Sequence, residues 1–398
     1  MATVTEEAKA LQEQIVTDRR WLHQHPELGF DLQETCAYVR GRLEEMGYEV
    51  SEPCEGALLT QVGDPAAGPV FMLRADMDAL PVDEATGLPF ASTNGNMHAC
   101  GHDTHTAMLL GAAQILKDHE AELKGCVKLL FQPDEEGCAP VEYCGGDAVL
   151  EAGVLENPHV DALAALHVQA LDFEAGGIFT RPGTIFSSID DIDVRITGCG
   201  AHGSTPQQGI DPINIACHVY QGFQNIIARE VDPTQTCVAT FGRIESGRAA
   251  NVIPDSASML GTLRTQDAQV RAGFKEHAQR MVAGIAQAFG GTAEVSFLRG
   301  VPNTYNDPAL TEELTGYAAE IFGEPVRELE APFSGTDDLA ILSQEVPTTY
   351  FILGTGTLPG HEGCGMHHPN VDFDESVFWK GAALLAGCAL TYLDRHAE

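Results

Sequence analysis

The sequence predicts an α/β protein, a wound mixed sheet with a smaller two-layer α+β domain inserted into it. Three observations carry this expectation. Apolar β-type runs in the first half each end in polar residues, a helix separates the first two, and about 110 residues of different texture interrupt the wound pattern before it returns. At roughly 100–200 residues per domain, a chain of 398 residues with 44% hydrophobic content is expected to hold two domains with real cores.

In chain order, residues 5–20 and 32–46 read as amphipathic helices, separated by the loop from His23 to Glu27. The runs PVFMLRADMD (69–78), CVKLLFQPDEE (126–136) and VDALAALHV (160–168) read as strands. Between the first two lies a helix from about Thr104 to His119, with Met108, Leu109, Ala112, Ile115 and Leu116 on its apolar face. From about Ser187 the strands IDDIDVRITG, TCVATFGRI and SASMLGTLRT alternate with helices near 211–229 and 267–289. After about Arg299 come helices around 309–322 and 337–343, the strand TTYFILG (348–354), a Gly-rich loop and a final helix from about 374. Residues 1–186 and 299–398 therefore form one discontinuous domain, and 187–298 the insertion.

Acidic residues outnumber basic ones 58 to 22, a formal charge of −36. Nucleic acid and anionic membrane are poor partners for such a surface. Only 6 of the basic residues are Lys and 16 are Arg, and the acids are spread along the chain. This pattern fits a halophilic protein, because in molar salt screening shrinks to about 3 Å and dense carboxylates keep the surface hydrated. An ordinary acidic cytosolic enzyme is the alternative. Eleven Cys without a compact spacing argue for a reducing compartment. The start lacks a signal-like segment and no apolar run reaches membrane-spanning length, so the expected location is cytoplasmic.

In open α/β sheets, ligands collect outside the carboxyl ends of the strands. The candidate metal ligands fall there: Asp76 and Asp78 close the first run, Glu135 and Glu136 the second and His167 the third, and His367 follows the strand at 348–354. Cys100 and His102 precede the helix near Thr104, and their spacing suits an extended loop. Each residue alone has an ordinary structural explanation; their coincidence on one edge points to chemistry. Thiolate, imidazole and carboxylates together suit zinc, manganese, cobalt or nickel. Glu135 and Glu136 are neighbours that point in different directions, so one can bind metal while the other takes a proton from the attacking water.

The series of motifs resembles the metal-dependent amidohydrolase and peptidase family of L-aminoacylases, hippurate hydrolases and plant hydrolases of indole-acetyl-amino acid conjugates. It runs in order through RRWLHQHPELGF (19–30), RADMDALPVDE (74–84), MHACGHDTHTAMLLGAA (97–113), FQPDEEG (131–137), ALHV (165–168), GAHGSTPQQGIDP (200–212), NVIPD (251–255), GTLRT (261–265) and MHHPNVDFDE (366–375). The resemblance implies a metallohydrolase catalytic domain with an inserted dimerisation or lid domain. It implies two divalent metal ions per subunit, held by Cys100, His102, Glu136, His167 and His367, with His367 favoured over His368. Glu135 takes the role of general base and then general acid, and Asp78 that of a carboxylate orienting a metal-bound imidazole. His202 would contact the substrate carbonyl from the partner subunit of a homodimer or higher homo-oligomer, while Asn251 and Arg264 would bind the substrate carboxylate or amide. The implied substrate is a small N-acyl amino acid; a dipeptidase or carboxypeptidase of the same clan, or a fold retained without chemistry, are the alternatives. Two departures stand out: Asp134 replaces a common Ala and reads as acidic surface drift, and the later acidic motif is Thr336-Asp337-Asp338-Leu339 instead of Ser-Glu-Asp-Phe. Cys126 and Cys217 read as small core residues.

Overall fold

A computed structural model of the chain describes residues 3–139 and 143–397. Its contacts divide the chain into two compact units, Met1–Ile185 with Tyr305–Ala331 and Asp338–Glu398, and Phe186–Thr304 with Pro332–Asp337.

The first unit is built on a seven-stranded mixed sheet. Its spatial order is Leu58–Gly63, Cys126–Gln132, Val70–Asp76, Ala162–Ala170, Thr348–Gly356, Ile178–Thr180 and Arg327–Glu328. The four strands from Cys126–Gln132 to Thr348–Gly356 are parallel, and the register sets Asp76 opposite Gln132. Every residue of Val70–Asp76 and Cys126–Gln132 is buried, as expected for strands with helices on both faces. The helix His102–Asp118 is buried almost all round, and with Phe378–His396 it forms the centre of the core. By length and composition, the segment Glu375–His396 is apolar enough to cross a membrane. That corrects the reading of the sequence, where no run reached this length; 72% of its most apolar window is buried inside the unit, so its apolarity belongs to the core.

The helix read over 5–20 is two, Val4–Ala10 and Gln12–Gln24, parted at Leu11. Cys126 is buried as expected, but Cys217 is exposed, because the helix Pro212–Arg229 buries Ile215, Ala216 and Val219 on its other face.

The second unit is a four-stranded antiparallel sheet in the order Thr292–Val301, Ile189–Thr197, Ser256–Thr265, Cys237–Ser246. Ile192, Val194 and Ile196 share a core with Phe223 and Phe274 of the two helices Pro212–Arg229 and Ala268–Ala288. Asp211 and Asp267 cap those helices by accepting two backbone N–H groups each. The strand Thr292–Val301 was not legible in the sequence: as an edge strand it fully buries only Val295.

Candidate metal centre and catalytic base

The carboxyl edge of the first sheet gathers five donors. Cys100 Sγ lies 3.5 Å from His167 Nε2 and 3.2 Å from His367 Nε2, and His367 Nε2 lies 3.3 Å from Glu136 Oε1. His102 Nε2 lies 4.0 Å from that same Glu136 oxygen and 3.7 Å from Glu135 Oε2. Cys100, Glu136 and His367 form one group able to hold a cation, and Cys100, His102 and His167 another.

Local sequence explains how these atoms meet. Gly101 has φ +89°, and a Cβ there would come within 2.5 Å of Val168 Cγ2, so only glycine lets Cys100 and His102 face the strand Ala162–Ala170. His367 itself is left-handed at φ +66°, held by its N–H to Ala99 O at 2.8 Å. A non-glycine residue in that region stores strain, a common mark of functional sites. Asp134, read from the sequence as surface drift, is fully buried at φ +47° and accepts the Ala139 N–H at 3.0 Å. It shapes the turn that presents Glu135 and Glu136.

Hydrogen bonds set the imidazoles in ligand-ready tautomers. His102 Nδ1 donates to Asp78 O at 2.9 Å, and His167 Nδ1 to Val168 O at 2.5 Å, so in each ring Nε2 is the nitrogen left to meet a metal. Among the described residues, the buried His102 Nε2 has no hydrogen-bond partner. Each Asp78 oxygen also accepts one N–H of the Glu135–Glu136 pair at 3.1 Å. From there the two carboxylates diverge, Glu136 toward His367 and Glu135 toward the Asp338 N–H.

The electrostatics call for positive charge. Burial opposes a charged His102, yet Asp76, Asp78 and Glu136 raise its pKa to about 10. Burial and then the Glu136 and Glu135 carboxylates push the Cys100 thiol far above its ordinary value. Burial, with His105 next, keeps His167 neutral. Four acids around soft and borderline donors, with a buried imidazole nitrogen that no described residue satisfies, fit divalent metal.

The sequence missed three contributors: Arg74, His105 and Asp338. Burial opposes the charged form of Asp76, but His102, His105 and Arg74 hold that carboxyl well below the usual range. A signal existed for Arg74, a cation inside the apolar run FMLRAD. His202, Asn251 and Arg264 all lie in the second unit. His202 is exposed on the two-stranded ribbon with Val252–Ile253, and the neighbouring Asn251 O accepts the Gly203 N–H at 2.8 Å. Arg264 is on the main sheet opposite Val238, away from that ribbon.

A model of the peptidase family M20/M25/M40 matches residues 72–391. The chain belongs to that family. It is a metal-dependent hydrolase of the amidohydrolase and peptidase type, and its donors suit a pair of divalent ions. Over 389 residues it is 36% identical to an N-acetylcysteine deacetylase of Bacillus subtilis, covering 97% of this chain and 98% of the relative. It is 37% identical over 391 residues to thermostable carboxypeptidase 1 of Saccharolobus solfataricus, covering 96% of each. A solved dinuclear metal-binding M20 peptidase from Bacillus subtilis is 34% identical with a TM-score of 0.82, over 97% of this chain and 99% of that one.

Proposed function

We propose that this M20 hydrolase cleaves the amide of N-acyl amino acids, releasing a carboxylate and a free amino acid. The observation that carries the reading is the placement of Glu135 Oε2 3.7 Å from His102 Nε2, with four further donors on the same edge. Cys100, His102, Glu136, His167 and His367 would hold two divalent ions, which when bound supply Lewis-acid polarisation of the scissile carbonyl and a lowered water pKa. Glu135 takes the proton of the attacking water and hands it to the leaving amine. Asp78 keeps His102 and both glutamates in register.

His202 would donate to the developing oxyanion, delivered by the partner subunit of a dimer. Its Nδ1 accepts the Ser204 N–H at 3.1 Å, so its proton is on Nε2 and available to donate. Asn251 and Arg264 would bind the substrate carboxylate or amide. The likeness to a carboxypeptidase supports a second reading, hydrolysis of peptides by the same machinery. Metal analysis with an activity screen on acetyl-, benzoyl- and indole-acetyl-amino acids and on dipeptides tests both. Turnover confined to N-acyl amino acids supports the first reading, turnover confined to peptides the second, and none with metal bound overturns both.

A further inference from the structure

One buried hydrogen-bond chain crosses the first unit from the His167 strand to Glu135. The Val168 N–H donates to His105 Nε2 at 3.0 Å, so the His105 proton lies on Nδ1, which donates to Asp76 Oδ1 at 2.6 Å. Arg74 Nη1 reaches the other Asp76 oxygen at 2.5 Å, while its Nη2 reaches Asp338 Oδ1 at 2.8 Å. Gln132 Nε2 at 2.7 Å and the Gly146 N–H at 2.6 Å also donate to the Asp338 carboxylate. The backbone N–H of that same Asp338 donates to Glu135 Oε1 at 3.4 Å.

Arg74, Asp76, His105, Gln132 and Asp338 are all buried. Replacing buried ion pairs by apolar side chains of similar volume is often neutral or stabilising, which points to fixed geometry as what such a network supplies. These donors lock the Asp338 side chain, which fixes the peptide whose N–H holds one Glu135 oxygen. The other oxygen, Oε2, is the one facing His102 Nε2.

We propose that Asp338 is a positioning residue for Glu135: pinned by Arg74 and Gln132, its backbone N–H anchors Oε1 so that Oε2 is the proton acceptor. This rests on the reading of Glu135 as the base. Proton transfer requires hydrogen-bond reach, and a misplacement of about 1 Å can cost 10²-fold in rate.

The test is a double-mutant cycle: Asp338→Ala and Asp338→Asn, each alone and with Glu135→Gln, assayed on the best substrate of the panel above. Alone, Asp338→Ala should lower kcat by roughly 10–100-fold with KM and metal content within about twofold. Asp338→Asn, which keeps one acceptor oxygen, should lose less. In the Glu135→Gln background neither should lose more than about twofold, since nothing is left to position. Loss of the same factor in both backgrounds, or no change in kcat from any folded variant, overturns the proposal. Should Asp338→Ala fail to fold, the Asp338→Asn cycle decides alone. Full activity of Glu135→Gln would overturn the reading of Glu135 as base instead. Crystals of the metal-free protein then still report on positioning: a Glu135 carboxylate equally ordered with and without the Asp338 side chain overturns it.

Discussion

Asp78 Oδ2 accepts the backbone N–H of Glu136 at 3.1 Å, and Asp78 Oδ1 accepts that of Glu135 at the same distance. The Asp78 backbone carbonyl takes the His102 Nδ1 proton. One residue thus sets three others that lie far from it in sequence. Asp78→Ala keeps that carbonyl but removes the carboxylate that holds both glutamate N–H groups, and should weaken metal affinity by about 10–100-fold, as loss of an orienting partner typically does. A chelator competition titration measures it.

Glu135→Gln removes the proton acceptor while nearly preserving shape. Melting temperature and metal stoichiometry should be unchanged and kcat should fall by at least ~10²–10⁴. Near-normal turnover would exclude Glu135 as the base.

Cys100 lies within 3.5 Å of both His167 Nε2 and His367 Nε2. Cys100→Ser exchanges a thiolate for a poor ligand and should lower metal occupancy at limiting metal. Elemental analysis after dialysis tests this; two ions held as tightly as in wild type would remove Cys100 from the ligand set.

If His202 acts in trans, mixing inactive Glu135→Gln and His202→Ala proteins under subunit exchange restores activity, because one site of a mixed dimer has both groups intact. Its loss alone should cost roughly 2.7–4 kcal/mol in the barrier, as for other oxyanion donors. A mixture that stays dead while dimers form and exchange means that His202 works within its own chain, and full activity of His202→Ala by itself means that it takes no part.

With a formal charge of −36, low ionic strength lets carboxylates repel across the fold, the Debye length growing to about 30 Å at 0.01 M. The melting temperature should rise steeply with KCl up to molar concentration. A flat profile favours an ordinary acidic enzyme.

Glu84 sets part of the acid limb of stability. Burial would raise its carboxyl, but hydrogen bonds from His23, Thr86 and Ser92 hold it at about 2 against an ordinary 4.5. A depressed folded pKa means the stabilisation is complete above pH 4.5 and drains away between 4.5 and 2. The melting-temperature gap between wild type and Glu84→Gln should therefore close across that window; a constant gap would show that titration of Glu84 contributes nothing.

Much of the site was legible because its chemistry is local. Motifs such as Cys100-Gly-His102 and Glu135-Glu136 carry their donors within a few residues, and parallel strands must deliver their carboxyl ends to one edge. The core strands Val70–Asp76 and Cys126–Gln132 were equally plain as continuous apolar runs. Tertiary structure alone decided that Asp134 is buried in a left-handed turn and that His105, Arg74 and Asp338 form one chain ending at Glu135. Residue type and spacing report backbone periodicity, whereas these roles depend on which partner sits across a gap of dozens to hundreds of residues. Asp338 stands next to an acidic neighbour and looks like solvated surface until Arg74, 264 positions earlier, is brought to 2.8 Å from it. A buried carboxylate is tolerated only when such partners satisfy it, and packing of distant segments supplies them.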